Sequence, residues 1–288
     1  MNKLISIVFL MLVPLISSAA SEPTLYEIPG TQVVPISNSA TDWRYELYIK
    51  LPESYSQKRD KKYPVIYFTD AMWHIELLSA ATTFLMEDVI LVGISWQTDI
   101  DEKLKNEVGK HVSRYRDYSS EKSTNADNQA KYQFGQAKSH LSFIRNDVIK
   151  YVEKNYRTMP NDRTYFGYSL GGEFGAYTLL AQPDTFKNYI LGSPSLKGNI
   201  SYLSKLASNT HDSAQDSKRL PNRKVFISYG ALETELGKYA EEFIHILKTQ
   251  RAKSVSLQHF IAEGGHQAAF PMTGVQGITW LSGLKTKI

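Results

Sequence analysis

A glycine-framed serine, Gly167-Tyr168-Ser169-Leu170-Gly171-Gly172, separates two stretches of opposite conformational preference. Arg163 to Phe166 before it is β-prone and partly apolar; Glu173 to Gln182 after it suits a helix that opens on small residues. A chain that passes from strand to helix across so few residues must turn sharply. A Gly-x-Ser-x-Gly turn imposes strained backbone geometry on the serine and leaves its hydroxyl exposed. Gly167 and Gly171 stand where side chains would crowd that turn. The motif sets strand, turn and helix in order at the middle of the chain and nominates Ser169 as a nucleophile.

The rest of the chain repeats the alternation. Gln32–Ile36 and Trp43–Leu51 read as early strands, the second alternating Tyr45, Leu47 and Ile49 with polar neighbours. Tyr63–Phe68 and Asp88–Trp96 are continuous apolar runs of the kind found in buried central strands, with a helix expected over Ile75–Leu85 between them. Leu141, Ile144, Val148, Ile149 and Val152 mark one face of a helix ending near Tyr156. After the serine, strands at Tyr189–Leu191, Val225–Tyr229 and Val255–Ile261 alternate with helices at Ser201–Leu206, Lys238–Arg251 and Phe270–Leu284. This pattern predicts an α/β fold, a mostly parallel, doubly wound sheet with helices on both faces. Two polar segments break the rhythm and read as loops, Gln97–Gln136 and Asn209–Asn222; Ser119–Asn128 within the first reads as mobile.

The N-terminus belongs to a different class of segment. Lys3, the apolar run Leu4–Ile16 and the small residues Ser17-Ser18-Ala19-Ala20 form a secretory signal pattern, too short for a comfortable membrane span. Residues 1–20 are therefore expected to be removed, leaving 21–288 as a single domain in the periplasm or outside the cell, without stable membrane insertion. With no cysteine in the chain, that domain relies on its core alone. A composition of 42% hydrophobic and 22% charged residues excludes disorder as the main state. Lys and Arg exceed Asp and Glu by only 33 to 29, and the run Lys58-Arg59-Asp60-Lys61-Lys62 reads as a solvated loop, so no nucleic-acid partner is expected. No His-x-x-x-His or His-Glu-x-x-His motif and no glycine-rich phosphate loop is present, so neither metal nor cofactor is expected.

A serine needs a neighbouring base to act as a nucleophile. Four histidines follow Ser169: His211 in a polar loop, His245 in mid-helix, His259 within the last strand, and His266 just after it. In Glu263-Gly264-Gly265-His266-Gln267 the glycines let a loop carry the imidazole over the carboxyl edge of the sheet, which selects His266 as general base. The acid is expected after the strand ending at Gly230, where Ala231-Leu232-Glu233-Thr234-Glu235 offers Glu233 first and Glu235 second. It would accept the histidine's other N–H and stabilise the imidazolium; a Ser–His dyad without a carboxylate is the alternative. The order serine, acid, histidine is that of α/β-hydrolases. An oxyanion hole would use the N–H of Leu170 and a second N–H, from Ala71 or Met72, after the strand ending at Asp70.

Several segments together resemble a known group. Tyr165-Phe166-Gly167-Tyr168-Ser169-Leu170-Gly171-Gly172, preceded by Phe143-Ile144 and by Tyr151-Val152-Glu153-Lys154-Asn155-Tyr156-Arg157, is similar to the Putative esterase family, which includes enterochelin and salmochelin esterases and esterase D-like periplasmic hydrolases. Arg114-Tyr115-Arg116-Asp117-Tyr118, Gly192-Ser193-Pro194-Ser195 and Gly230-Ala231-Leu232-Glu233 match in position and type, so the resemblance runs from about Val33 to the C-terminus. Two departures fall near the expected pocket: Thr69-Asp70-Ala71 where the family commonly has Leu-Asp-Gly, and Glu173 where an apolar residue is usual. The resemblance implies an α/β-hydrolase fold and hydrolysis of small-molecule esters, trilactone siderophores among them, with an acyltransferase or a non-catalytic binding protein on the same scaffold as alternatives. Arg114 and Arg116 are candidates for binding an anionic or catecholate group, or, for Arg116, a salt bridge to Asp117 that locks the loop. Trp73, Tyr115 and Tyr118 are candidates for an aromatic pocket or for packing. Nothing in the sequence sets an oligomeric state.

Overall fold

β-Branched and aromatic residues dominate the strand segments, and eight strands form one sheet: β1 (Thr31–Ser37), β2 (Arg44–Lys50), β3 (Tyr63–Phe68), β4 (Ile90–Ile94), β5 (Thr158–Tyr168), β6 (Asn188–Gly192), β7 (Arg223–Gly230) and β8 (Val255–Ala262). The computed structural model describes residues 25–209 and 222–285. The expected signal segment, His211 and nearly all of the second expected loop lie outside the described residues. The strand order is β1-β2-β4-β3-β5-β6-β7-β8. β1 to β2 and β2 to β4 are antiparallel, and every other neighbouring pair is parallel, as the alternating sequence pattern requires.

The helices, in chain order, are α1 (Ser54–Gln57), α2 (Ala71–Leu85), α3 (Glu102–Val108), α4 (Ser113–Tyr118), α5 (Ala126–Tyr132), α6 (Ala137–Phe143), α7 (Ile149–Asn155), α8 (Leu170–Ala181), α9 (Ile200–Asn209), α10 (Thr234–Gln250) and α11 (His266–Lys285). A π-helical turn, Ile144–Val148, joins α6 to α7, so the expected amphipathic helix is one rod with a wide turn in it. Pleating divides the strand side chains between two cores. Val65, Tyr67, Tyr165 and Leu191 face a core with Val148, Phe174, Leu180 and Phe243, while Ile66, Phe68, Phe166 and Ile190 face a second core with Leu78, Ile278 and Leu281. Each such fully buried side chain contributes about 2 kcal/mol of transfer free energy. Every residue of β3, β4 and β6 is buried, which is why the segments of β3 and β4 read as continuous apolar runs.

The expected loop 97–136 is where the structure departs most from the sequence reading. It holds three short helices, α3, α4 and α5, and the segment expected to be mobile, Ser119–Asn128, runs into the first turn of α5, where the Asn125 side chain accepts from the Asn128 N–H at 2.8 Å. Helices α3 and α5 bury no residue and are capped locally by Asp101 and Asn125, whereas the cause of α4 is tertiary. Helix α4 buries Ser113, Asp117 and Tyr118, and the amides of Gln136 and Ala137 donate to the carbonyls of Arg116 and Ser119 at 3.1 and 3.0 Å. Contacts of that kind leave no apolar period in the sequence.

The parallel strands place the turns after β3, β5, β6, β7 and β8 along one edge. Phe68 pairs with Phe166, Tyr168 with Gly192, Gly192 with Ser228, and Gly230 with Ala262. Ligands of open α/β sheets bind outside this carboxyl edge.

Candidate active site

Ser169 stands alone between β5 and α8 with φ 59° and ψ −118°. Such a conformation costs a non-glycine residue roughly 1–3 kcal/mol, and it persists because the surroundings impose it. The Ser169 N–H donates to the Gly192 carbonyl at 2.9 Å, while its own carbonyl accepts from Glu173 N–H at 3.0 Å and Ser195 N–H at 3.1 Å. A Cβ on Gly167 would lie 2.2 Å from the Gly171 carbonyl oxygen, and one on Gly171 would lie 2.5 Å from Thr69 Oγ1. Both glycines are therefore steric requirements of the turn.

On one side of the elbow, β7 and β8 deliver a carboxylate and an imidazole. Glu233 precedes α10, its side chain is 5% exposed, and its Oε1 lies 2.5 Å from His266 Nδ1. Its Oε2 accepts from the Gly230 N–H at 2.6 Å and from the Ser193 hydroxyl at 2.7 Å. An ionised carboxylate only accepts, so His266 Nδ1 carries the proton and Nε2 is left as an acceptor, the tautomer a general base requires. Glu235 is 66% exposed and pairs instead with Lys197 at 2.9 Å. His266 is the first residue of α11 rather than part of a loop; the preceding turn uses Gly264 at φ 88°. The Tyr168 hydroxyl donates to the His266 carbonyl at 2.5 Å, and the two rings lie 5.1 Å apart, so the residue before Ser169 also holds the histidine backbone. The Ser169 hydroxyl itself meets the Ser195 hydroxyl at 3.2 Å. His245 on α10 and His259 on β8 are exposed.

On the other side, Asp70 caps α2 in the left-handed conformation, at φ 55° and ψ 46°. Its carboxylate is fully buried and accepts from Arg114 Nε and Nη2, both at 3.0 Å, and from Trp96 Nε1 at 2.6 Å. The elbow packs on this turn, since a Cβ on Gly171 would also reach within 3.4 Å of Asp70 Oδ2. The two turns open α2 and α8, whose first amides have no intrahelical acceptor. These include the amides of Leu170, Ala71 and Met72; Ala71 is fully buried and Met72 is 47% exposed.

The two arginines are already engaged. Arg114 carries the ion pair to Asp70, and its guanidinium lies 5.0 Å from the Trp73 ring centre. Arg116 donates to Asp117 Oδ1 at 2.8 Å, Gln97 Oε1 at 2.8 Å and the Tyr45 hydroxyl at 3.3 Å, and it stacks 3.6 Å from the Trp43 ring centre, which ties α4 to the sheet. Trp73, 48% exposed, starts a row of rings: Trp96 at 4.7 Å, His111 at 5.4 Å, then Tyr115, Tyr132 and Phe134. Tyr118 is buried in the core. A cleft of about 290 Å³ lined by Met72, Trp96, Lys105 and Lys110 adjoins the row. A larger one of about 850 Å³, between residues 26–30 and α2, contains none of the site residues.

Asp70, Trp96, Ser193 and Ser195 escaped the sequence reading as site residues. The Gly192-Ser193-Pro194-Ser195 turn was visible as a motif but carried no role. Asp70 and Trp96 are joined only by the tertiary structure.

Comparison with known proteins identifies the fold and the family. The family model described as Putative esterase matches residues 38–283. Ferri-bacillibactin esterase BesA of Bacillus subtilis is 27% identical over 221 residues, covering 72% of each chain. Two solved structures share the fold. The BES protein from Bacillus cereus has a TM-score of 0.75 at 20% identity, covering 91% of this chain and 98% of its own. An IroE-like serine hydrolase from Shewanella oneidensis has a TM-score of 0.71 at 20% identity, covering 87% and 79%. The fold is that of the α/β-hydrolases, and the chain belongs to the Putative esterase family as a carboxylic ester hydrolase.

Proposed function

We propose that the protein is an exported serine esterase acting through an acyl-enzyme, with Ser169 as nucleophile, His266 as general base and Glu233 as the acid that orients it. The observation that carries this reading is the 2.5 Å contact from Glu233 to His266 Nδ1, set beside a serine held at positive φ. In acylation the Ser169 Oγ–H proton passes to His266 Nε2 as Oγ bonds to the ester carbonyl carbon. The leaving alcohol takes that proton as the C–O bond breaks. In deacylation water gives a proton to His266, its oxygen bonds to the carbonyl carbon, and Ser169 Oγ leaves with the proton restored. The Leu170 N–H and a second amide, Ala71 or Met72, receive the oxyanion; each such donor supplies about 3 kcal/mol of transition-state stabilisation. Among the described residues no helix is long and apolar enough to cross a membrane.

For the substrate, the row from Trp73 to Phe134 supports esters with planar aromatic acyl groups, catecholate trilactones included. BesA acts on ferri-bacillibactin by name, and the same class is proposed here. Trp73 is assigned the stacking contact. Arg114 holds the turn beneath it, and Arg116 holds α4. A panel of short-chain, long-chain and aromatic esters and catecholate trilactones tests this. Turnover of aromatic esters should exceed that of short-chain esters, and Trp73→Ala should raise KM for the aromatic set alone. Equal turnover across the panel would remove the substrate assignment while leaving the esterase in place.

A further inference from the structure

Two serines on the turn after β6 reach opposite ends of the proposed relay. Ser193 is fully buried and sits at φ 38°, in the left-handed region that a serine keeps only when its neighbours hold it there. Its N–H donates to the Ser228 carbonyl at 2.6 Å. Its Oγ lies 2.7 Å from Glu233 Oε2 and 2.9 Å from the Tyr168 hydroxyl. Tyr168 gives its proton to the His266 carbonyl, and the carboxylate can only accept, so the single Ser193 proton goes to Glu233. Two residues on, Ser195 is half-buried; its N–H holds the Ser169 carbonyl and its Oγ lies 3.2 Å from Ser169 Oγ. Pro194 between them fixes the backbone, and a Cβ on Gly172 would stand 3.0 Å from Pro194 Cα, so the turn is seated directly on α8.

We propose that Ser193-Pro194-Ser195 is a working part of the site, in which Ser195 donates to the nucleophile's oxygen and Ser193 positions the acid. The proposal rests on the serine-esterase reading above. With Ser195 donating, the Ser169 proton stays free for His266 Nε2. Ser195 keeps its own proton through both half-reactions. Its hydrogen bond strengthens whenever negative charge gathers on Ser169 Oγ, as the proton leaves in acylation and as the C–Oγ bond breaks in deacylation. Ser193 acts through Glu233: together with the Gly230 N–H it fixes Oε2, which aims Oε1 at the imidazole.

The test measures kcat, KM and the pH dependence of kcat/KM on one aryl ester for the wild type and for Ser195→Ala, Ser195→Thr and Ser193→Ala. Folding is checked by thermal melts, and fluorophosphonate labelling is mapped to its residue. Ser195→Ala should lower kcat about tenfold with KM unchanged, the size expected for one hydrogen bond to a reacting oxygen. Ser195→Thr, which keeps the hydroxyl, should restore most of the loss. Ser193→Ala should also lower kcat and move the acid limb to higher pH, because a carboxylate that has lost a donor holds the imidazolium more tightly. Wild-type kcat and an unmoved pH profile in both alanine variants, with Ser169 still labelled, would overturn the turn's role alone. Failure of the wild type to label at Ser169 would overturn the esterase mechanism beneath it. If Ser193→Ala does not accumulate as folded protein, the half-exposed Ser195 decides the matter, through the loss in its alanine variant and the recovery in its threonine variant.

Discussion

Asp70 and Arg114 are joined by two parallel hydrogen bonds, both 3.0 Å, beneath the turn that leads from β3 into α2. The carboxylate is fully buried and the arginine side chain is 11% exposed. Removing one partner of such a pair strands a charge in the core. Arg114→Gln should therefore cost about 3 kcal/mol, a fall of roughly 6–10 °C in Tm, and should lower kcat by distorting the turn that offers Ala71 and Met72. A melting scan beside steady-state kinetics separates this from a direct contact with substrate. An unchanged Tm with a raised KM would return Arg114 to the role its sequence position suggested.

Glu233 and Glu235 lie two residues apart yet face different partners, His266 for the first and Lys197 for the second. Glu233→Gln places an amide against Nδ1 and favours the wrong imidazole tautomer, so kcat should fall about a thousandfold or more. Glu235→Gln removes only an exposed ion pair and should leave both turnover and Tm close to wild type. Ester hydrolysis by the two purified variants distinguishes them. Normal turnover in Glu233→Gln would reduce the relay to a serine–histidine dyad.

Glu173 is buried beside the elbow, accepting from the Ser120 N–H at 3.2 Å and from the Asn199 side chain. Burial, opposed by those two hydrogen bonds and aided by the nearby Glu121 charge, pushes its carboxyl from 4.5 up to about 8. In that interval the folded protein holds a proton that the unfolded chain has released. Stability should then decline as pH rises from about 4.5 to about 8 and level off above, by at most about 1.4 kcal/mol per unit. Glu173→Gln should flatten this part of the Tm-against-pH curve and melt above the wild type at pH 8. Parallel slopes for the two proteins would contradict the assignment.

The glycines of the chain are unequal. Gly167→Ala sets a methyl group 2.2 Å from a backbone oxygen that cannot move without breaking the elbow, so soluble yield and activity should both collapse. Gly283→Ala, in α11, meets no described heavy atom within 4 Å and should stabilise the protein by about 0.5–1 kcal/mol through helix propensity. Denaturant midpoints of the second variant, and expression and hydrolysis of the first, check the contrast.

The parts of the fold that follow from local chemistry were readable before the structure. The buried runs became β3 and β4, and the glycine-framed serine became the β5–α8 elbow because its constraint is steric and local. Glu233 was preferred to Glu235 on sequence distance, and the contact to His266 places it there in space. What depends on distant segments was not readable. Helix α4 is stabilised from outside itself, as the burial of Asp117 and Tyr118 illustrates. The partner of Arg114 lies 44 positions away, so a side chain that looked free for substrate is committed to Asp70. The helix that His266 opens was expected only from Phe270, because its first turn, His266-Gln267-Ala268-Ala269, carries no large apolar side chain.

The central claim is that Ser169 is a nucleophile activated by His266. Its most direct measurement is labelling of the folded wild-type protein by a fluorophosphonate probe, with the modified residue identified by peptide mass spectrometry. One equivalent of label is expected on Ser169, none in Ser169→Ala, and labelling slowed about a thousandfold or more in His266→Ala. A folded wild type that takes no label, or takes it at another residue, would contradict that claim.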